Sequence, residues 1–260
     1  MNSFDFGISQ KTALVCGSSS GIGLACAKAL ASCGTQVWIN GRNEQKLLNT
    51  KDNLEKNGLS VNAICADVTC STGRAHLLEH CPAPDILVTN AAGPPAGDFK
   101  KFDATDWESA VNASMLSPIL LIKAVVDQMI EKKWGRIINI TSSAVKAPLP
   151  MLDLSNGARS GLTGFIAGFA RDVAKHGVTV NNILPGSVET DRLAAYIDAL
   201  AKQNALSTHA MAAQMAAANP SQRFGKPEEL GAFCAFLAST HAAYMTGQNI
   251  LIDGGAYPGL

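Results

Sequence analysis

Residues 16–23 read CGSSSGIG, and this stretch can hold a phosphate. Gly17 permits a sharp turn, Gly21 lets a phosphate approach the backbone, and Gly23 lets a helix pack closely on a strand. Ser18, Ser19 and Ser20 add hydroxyl donors. A helix opening at Gly21 would direct free N–H groups and the positive end of its dipole at a pyrophosphate. Gly17, Ser19, Ser20, Gly21, Ile22 and Gly23 are therefore the first candidate cofactor contacts. Some twenty residues on, the chain reads INGRN at 39–43. A cofactor without a 2′-phosphate usually meets an acidic side chain here, but this chain offers Arg42. A guanidinium suits a phosphate and gains little from a bare ribose hydroxyl, so NADP is expected over NAD.

These residues need a strand before the glycines and a helix after them, and the flanking sequence supplies both. Thr12–Cys16 (TALVC) reads as a first strand, Gly21 to about Cys33 as a helix stopped by Gly34, and Gln36–Asn40 as a second strand. Asn43 caps a charged helix. Further strands are expected at Val61–Ala66, Ile86–Asn90, Arg136–Thr141, Val178–Leu184 and Asn249–Ile252. Between them lie a long helix opened by a capping box at Thr105–Glu108, one from about Asn156 to His176, and one from Pro227 to Ser239. Alternation of this kind predicts an α/β fold: a doubly wound, Rossmann-type parallel sheet of about seven strands, with helices on both faces and a single domain over 1–260. The Ala-, Met- and Gln-rich segment at about 191–223 reads as a helical lid over the carboxyl edge of the sheet. Met211 and Met215 suggest an adaptable apolar wall there.

Composition narrows the function. The 260 residues are 47% hydrophobic and 16% charged, with 21 basic against 21 acidic side chains. A globular protein follows, without the basic excess that nucleic-acid binding calls for. No apolar run suggests a membrane span, no signal pattern precedes the first strand, and a cytoplasmic location is the expectation. Seven cysteines are scattered without a C-x-x-C pair, and no metal site is expected.

With these pieces placed, the sequence resembles the short-chain dehydrogenase/reductase superfamily, and within it the 3-oxoacyl-carrier-protein-reductase-like proteins. The family's T-G-x-x-x-G-x-G appears with Cys16 for Thr. Cys65-Ala-Asp-Val68 matches the adenine-contacting segment, which implies that role for Asp67 and Val68. Thr89-Asn-Ala-Ala92 matches N-N-A-G, so Asn90 and Ala91 would line the cofactor. Pro185-Gly-Ser-Val-Glu-Thr190 matches the loop that holds the nicotinamide amide, through Pro185, Gly186, Val188 and Thr190. Asp253-Gly-Gly255 matches the end of the last strand. The resemblance implies a small-molecule substrate and pairing into a homodimer or homotetramer through the Thr105 helix and the Gly161–Phe169 region.

The catalytic end departs from the family. Its tetrad is Asn, Ser, Tyr and Lys. Asn112 and Ser142 match the first two, which implies that Asn112 holds a water or helix backbone at the site and Ser142 hydrogen-bonds the substrate carbonyl or its equivalent, but Ser155 and Arg159 stand at the Tyr and Lys spacing. Serine is a much weaker acid than tyrosine, and arginine does not give up its proton. Arg159 would bind the ribose or an anionic substrate group, and Ser155 would be a neighbouring hydrogen-bonding group. Lys146, beside Arg159 and partly desolvated, is the expected proton donor, ahead of Tyr196 and Tyr257. The reading is an NADP-dependent oxidoreductase acting on a small carbonyl, imine or enone. The alternatives are a non-catalytic or sensory nucleotide-binding protein on the same fold, or a non-redox lyase or isomerase.

Overall fold

β-branched and leucine-rich runs, apolar on both sides, form strands that are buried on both faces. In the computed structural model, which describes residues 5–259, seven such strands make one parallel sheet in the order β3-β2-β1-β4-β5-β6-β7. They are β1 Thr12–Val15, β2 Gln36–Gly41, β3 Val61–Cys65, β4 Ile86–Thr89, β5 Gly135–Ile140, β6 Val178–Pro185 and β7 Asn249–Ile252. The expected doubly wound α/β fold is therefore present. The order reverses at β1, which pairs with β2 on one side and β4 on the other. Loops leaving the carboxyl ends of β1 and β4 part there and open a crevice.

Helices cover both faces. On one, α1 (Gly21–Ser32) packs on α9 (Pro227–Ala238), with Cys26, Leu30, Leu230 and Leu237 at the centre. On the other, Leu121, Val125 and Met129 meet Leu162 and Ile166. The remaining helices are α2 Glu44–Lys56, α3 Ser71–His80, α4 Ala104–Val111, α5 Ser117–Glu131, α6 Asp153–Ala174, α7 Asp191–Gln203 and α8 Thr208–Ala218. A π-helical turn over Asn112–Leu116 joins α4 to α5, so Ala104–Glu131 is one kinked helix. Its length, and a mean hydropathy of 1.6 over an 18-residue window, would suffice to cross a membrane, which the sequence reading did not anticipate. Here the apolar side lies on the sheet.

Three local expectations are corrected. The capping box opens α4 at Asp103 and Asp106, each carboxylate accepting the other's backbone N–H at 3.0 and 3.1 Å, rather than at Thr105. Helix α3 was not anticipated. Only Leu77 of it is buried, and its N-cap is Cys70, whose Sγ accepts from Gly73 N–H. Its exposed face carries His76, Glu79 and His80, with ligand atoms within 4.8 Å of one another. The strands are also less apolar than they read. Thr89, Asn139, Asn182 and Asn249 form a hydrogen-bonded row across β4 to β7, at 2.6, 2.9 and 2.7 Å. Each member satisfies the next, which makes their burial tolerable.

Candidate active site

The phosphate-binding turn is built from backbone geometry that only glycine adopts freely. Gly17 and Gly21 have φ of +56° and +57°. A Cβ on Gly23 would collide with the Gly17 carbonyl and come within 2.7 Å of Asn90 Nδ2. Asn90 itself donates to that carbonyl at 2.9 Å, tying the β4 loop to the β1 loop. Ser20 occupies the N-cap of α1, yet its side chain accepts no helix N–H. The first-turn donors are thus left for an anion, as a dinucleotide pyrophosphate requires. Ser18 plays a different part from the expected one. It is fully buried, and its hydroxyl donates to the Val15 carbonyl at 2.7 Å, which staples the turn.

The turn forms one end of a cavity of about 880 Å³ at the switch point. All the expected cofactor residues line it except Gly23, which lies beneath as packing: Gly17, Ser19, Ser20, Gly21, Ile22, Arg42, Asp67, Val68, Asn90, Ala91, Pro185, Gly186, Val188 and Thr190. Arg42 Nη1 lies 3.8 Å from Asp67 Oδ2, with both side chains partly exposed. Burial works against the Asp67 charge, but bonds from the Thr69 N–H and hydroxyl, at 2.9 and 2.8 Å, and the charge of Arg42 hold its pKa below the ordinary value. Thr190 caps α7, accepting from Leu193 N–H at 3.2 Å.

The other end of the cavity gathers Ser142, Ser155 and Arg159. Ser142 follows β5 and accepts from Ala144 N–H at 3.1 Å, so its own proton is free to donate. Arg159, on α6, donates through Nη1 to the carbonyls of Ile140 and Thr141 at 2.8 and 2.6 Å, and through Nε to Ser155 Oγ at 3.1 Å. It therefore fastens α6 to the end of β5. Nη2 has no partner among the described residues. Burial, and then the nearby charge of Arg192, bring the Arg159 pKa down to about 10, so it stays cationic at neutral pH.

Two expected catalytic residues stand elsewhere. Lys146 is exposed and does not line the cavity, because the 3-10 turn Ser143–Val145 ends on it and carries it outward. Asn112 sits at the start of the π turn and donates to the Thr69 carbonyl at 2.9 Å, so it braces the kinked helix against the β3–α3 loop. In their place the structure brings in residues that sequence reasoning left aside or ranked low. Arg192 and Tyr196 of α7 line the cavity, as do Lys46, Leu149 and Leu152. Arg192 donates to the Gly93 carbonyl at 3.4 Å, and the Tyr196 hydroxyl donates to the Pro150 carbonyl at 3.2 Å. Burial raises the Tyr196 pKa while Arg192 opposes the rise.

A family model described as enoyl-(acyl carrier protein) reductase matches residues 17–257. The chain belongs to the short-chain dehydrogenase/reductase family. It is 31% identical over 255 residues to the NADPH-dependent reductase BacG of Bacillus subtilis (strain 168), covering 96% of this chain and 98% of that one. The 3-oxoacyl-[acyl-carrier-protein] reductase FabG of Vibrio cholerae is 34% identical over 251 residues, covering 95% and 97%. Among solved structures, L-sorbose reductase from Gluconobacter frateurii, complexed with NADPH and L-sorbose, superposes with a TM-score of 0.91 at 30% identity, over 99% of this chain and 100% of that one.

Proposed function

We propose that this reductase transfers a hydride from NADPH to a small conjugated carbonyl compound, with no side chain at position 155 acting as a strong proton donor. The NADP preference rests on Arg42 at the end of β2 and on relatives described by their use of NADPH. When bound, NADPH supplies the hydride. The chain supplies position and charge. Ser142 and Ser155 offer hydroxyl protons to the substrate oxygen, and the Arg159 guanidinium beside them stabilises the negative charge that develops there.

The observation that carries the reading is the pair Ser155 and Arg159. Ser155 is 4% exposed and already accepts from Arg159, and serine lacks the acidity of a phenol. The site thus stabilises an anion better than it protonates one. An enolate spreads its charge and takes its proton from water, which fits. An iminium substrate is cationic and is disfavoured beside unpaired guanidiniums. Lys146 is exposed and does not line the cavity, so it is not the acid in this reading.

A panel of matched enones, saturated ketones and imines, with NADPH oxidation followed at 340 nm, tests this. Enones are expected to turn over fastest, with Ser155→Ala keeping activity within about tenfold and Lys146→Ala unchanged. Turnover confined to saturated ketones and lost in Lys146→Ala would refute it. NADPH held without any turnover would mark a binding protein instead. The half-exposed faces of the π turn, α5 and α6, with Leu116, Leu120 and the stacked Phe165 and Phe169, support assembly as a homodimer or homotetramer.

A further inference from the structure

We infer that the substrate carries a carboxylate, held by Arg192 of α7 together with the free Nη2 edge of Arg159. This rests on the reductase reading and names the chemical class of what the site takes.

Arg192 and Arg159 reach one cavity from different elements, α7 and α6. Neither forms an ion pair with a carboxylate among the described residues. The acidic neighbour of Arg192 in sequence, Asp191, is exposed and pairs with Lys46 at 3.5 Å. Arg192 spends one N–H on a long bond to the Gly93 carbonyl, which leaves most of its guanidinium fork open. Two partly buried cations facing one space repel each other, and burial depresses both pKa values. Such an arrangement costs stability unless an anion completes it. A planar carboxylate matches a guanidinium fork in both shape and charge.

Thr190, two residues before Arg192, packs on Gly21 of the phosphate turn, so titration is what distinguishes a substrate carboxylate from the cofactor's phosphates. The uncapped N-terminus of α1 and Arg42 follow β1 and β2, whereas Arg159 is fastened to the end of β5. Arg192 instead touches Gly93, just past the Asn90 loop, and its neighbour Tyr196 touches Pro150, just before α6. Leu149, Leu152 and Leu193 line the same end and would enclose an apolar body attached to the carboxylate.

The test uses acid and amide pairs that differ in charge and hardly in shape: benzoate with benzamide, and cinnamate with cinnamamide. Each is titrated by calorimetry into the protein saturated with NADP+. At least one acid is expected to bind about tenfold or more tighter than its amide, the scale of a charge-assisted hydrogen bond. Arg192→Gln should erase that preference, Arg192→Lys should keep part of it, and both should hold NADP+ within about twofold of the parent. Acid and amide binding alike, or no binding of any of the four, overturns the inference while the NADP+ titration leaves the reductase reading standing. Loss of NADP+ binding in Arg192→Gln with the acid preference unchanged also overturns it, by assigning Arg192 to the cofactor. Failure of the parent protein to bind NADP+ at all brings down both.

Discussion

Exchanging Arg42 for Ala should separate the two nicotinamide coenzymes, and its size follows from the site. Arg42 Nη1 is 3.8 Å from Asp67 Oδ2, and its side chain is 64% exposed. A hydrogen bond to a charged group contributes about 1.5–3 kcal/mol, and exposure draws this one toward the lower end. At 1.4 kcal/mol per decade, NADPH should bind roughly 10- to 30-fold more weakly. NADH has no 2′-phosphate and should lose less than about twofold. A second effect acts in the same direction. Without Arg42, the Asp67 carboxylate faces the phosphate unopposed, so Asp67→Asn added to Arg42→Ala should recover part of the loss. The assay is a fluorescence titration of each variant with NADPH and with NADH. Equal weakening of both coenzymes would show that Arg42 supports the fold of the β2–α2 turn and does not read the phosphate.

Other predictions follow from packing and charge. Gly23→Ala drives a methyl into the Gly17 carbonyl, and should cost about 1–3 kcal/mol in a thermal or urea melt and abolish NADPH binding. Glu229 receives two bonds from Arg223, at 2.6 and 2.9 Å, and one from Lys226 N–H at 2.7 Å, which hold its pKa at about 2 against an ordinary 4.5. A lowered folded-state pKa stabilises above the ordinary value and fades as pH falls toward the lowered one. The difference in Tm between the parent and Glu229→Gln should therefore be constant from neutral pH to about 5 and close on further acidification; a gap that widens with acid would contradict this. Gly168 is exposed on α6 with open space where a Cβ would lie, so Gly168→Trp should leave the monomer folded and disrupt assembly. Light scattering after gel filtration would report this, and an unchanged mass would place the interface elsewhere.

How far the sequence foretold this site depends on whether local backbone or distant packing makes each part. The glycine turn was legible because Gly17, Gly21 and Gly23 act through their own backbone, and strand and helix flank them in sequence. Arg42 was legible for the same reason, being the first side chain past β2. Lys146 was misplaced because four residues of separation from Ser142 say nothing about which way a 3-10 turn carries a side chain. Asn112 is expected to hold a water or helix backbone at the site, and the π turn it opens aims its amide at one backbone group, the Thr69 carbonyl of the β3–α3 loop. Arg192 and Tyr196 were harder still. They enter the cavity because α7 folds back across the sheet edge and rests on Gly93 and Pro150, contacts that span 99 and 46 residues.

The same distinction explains what arginine does at position 159. Lysine there would have one ammonium to divide between the end of β5 and a bound molecule. The guanidinium does both jobs at once: Nη1 holds the Ile140 and Thr141 carbonyls, Nε holds Ser155, and Nη2 remains for a ligand. The fixed charge is set by hydrogen bonds that span β5 and α6, so it is in place before any substrate arrives. Preorganised charge of this kind lowers the energy of an enolate without a proton changing hands. Arg159→Lys is accordingly expected to cost both stability and turnover, because one ammonium cannot reach both carbonyls and the cavity together. Arg159→Lys that melts and turns over like the parent would show that a point charge is enough, and that the fork geometry has no part in the chemistry.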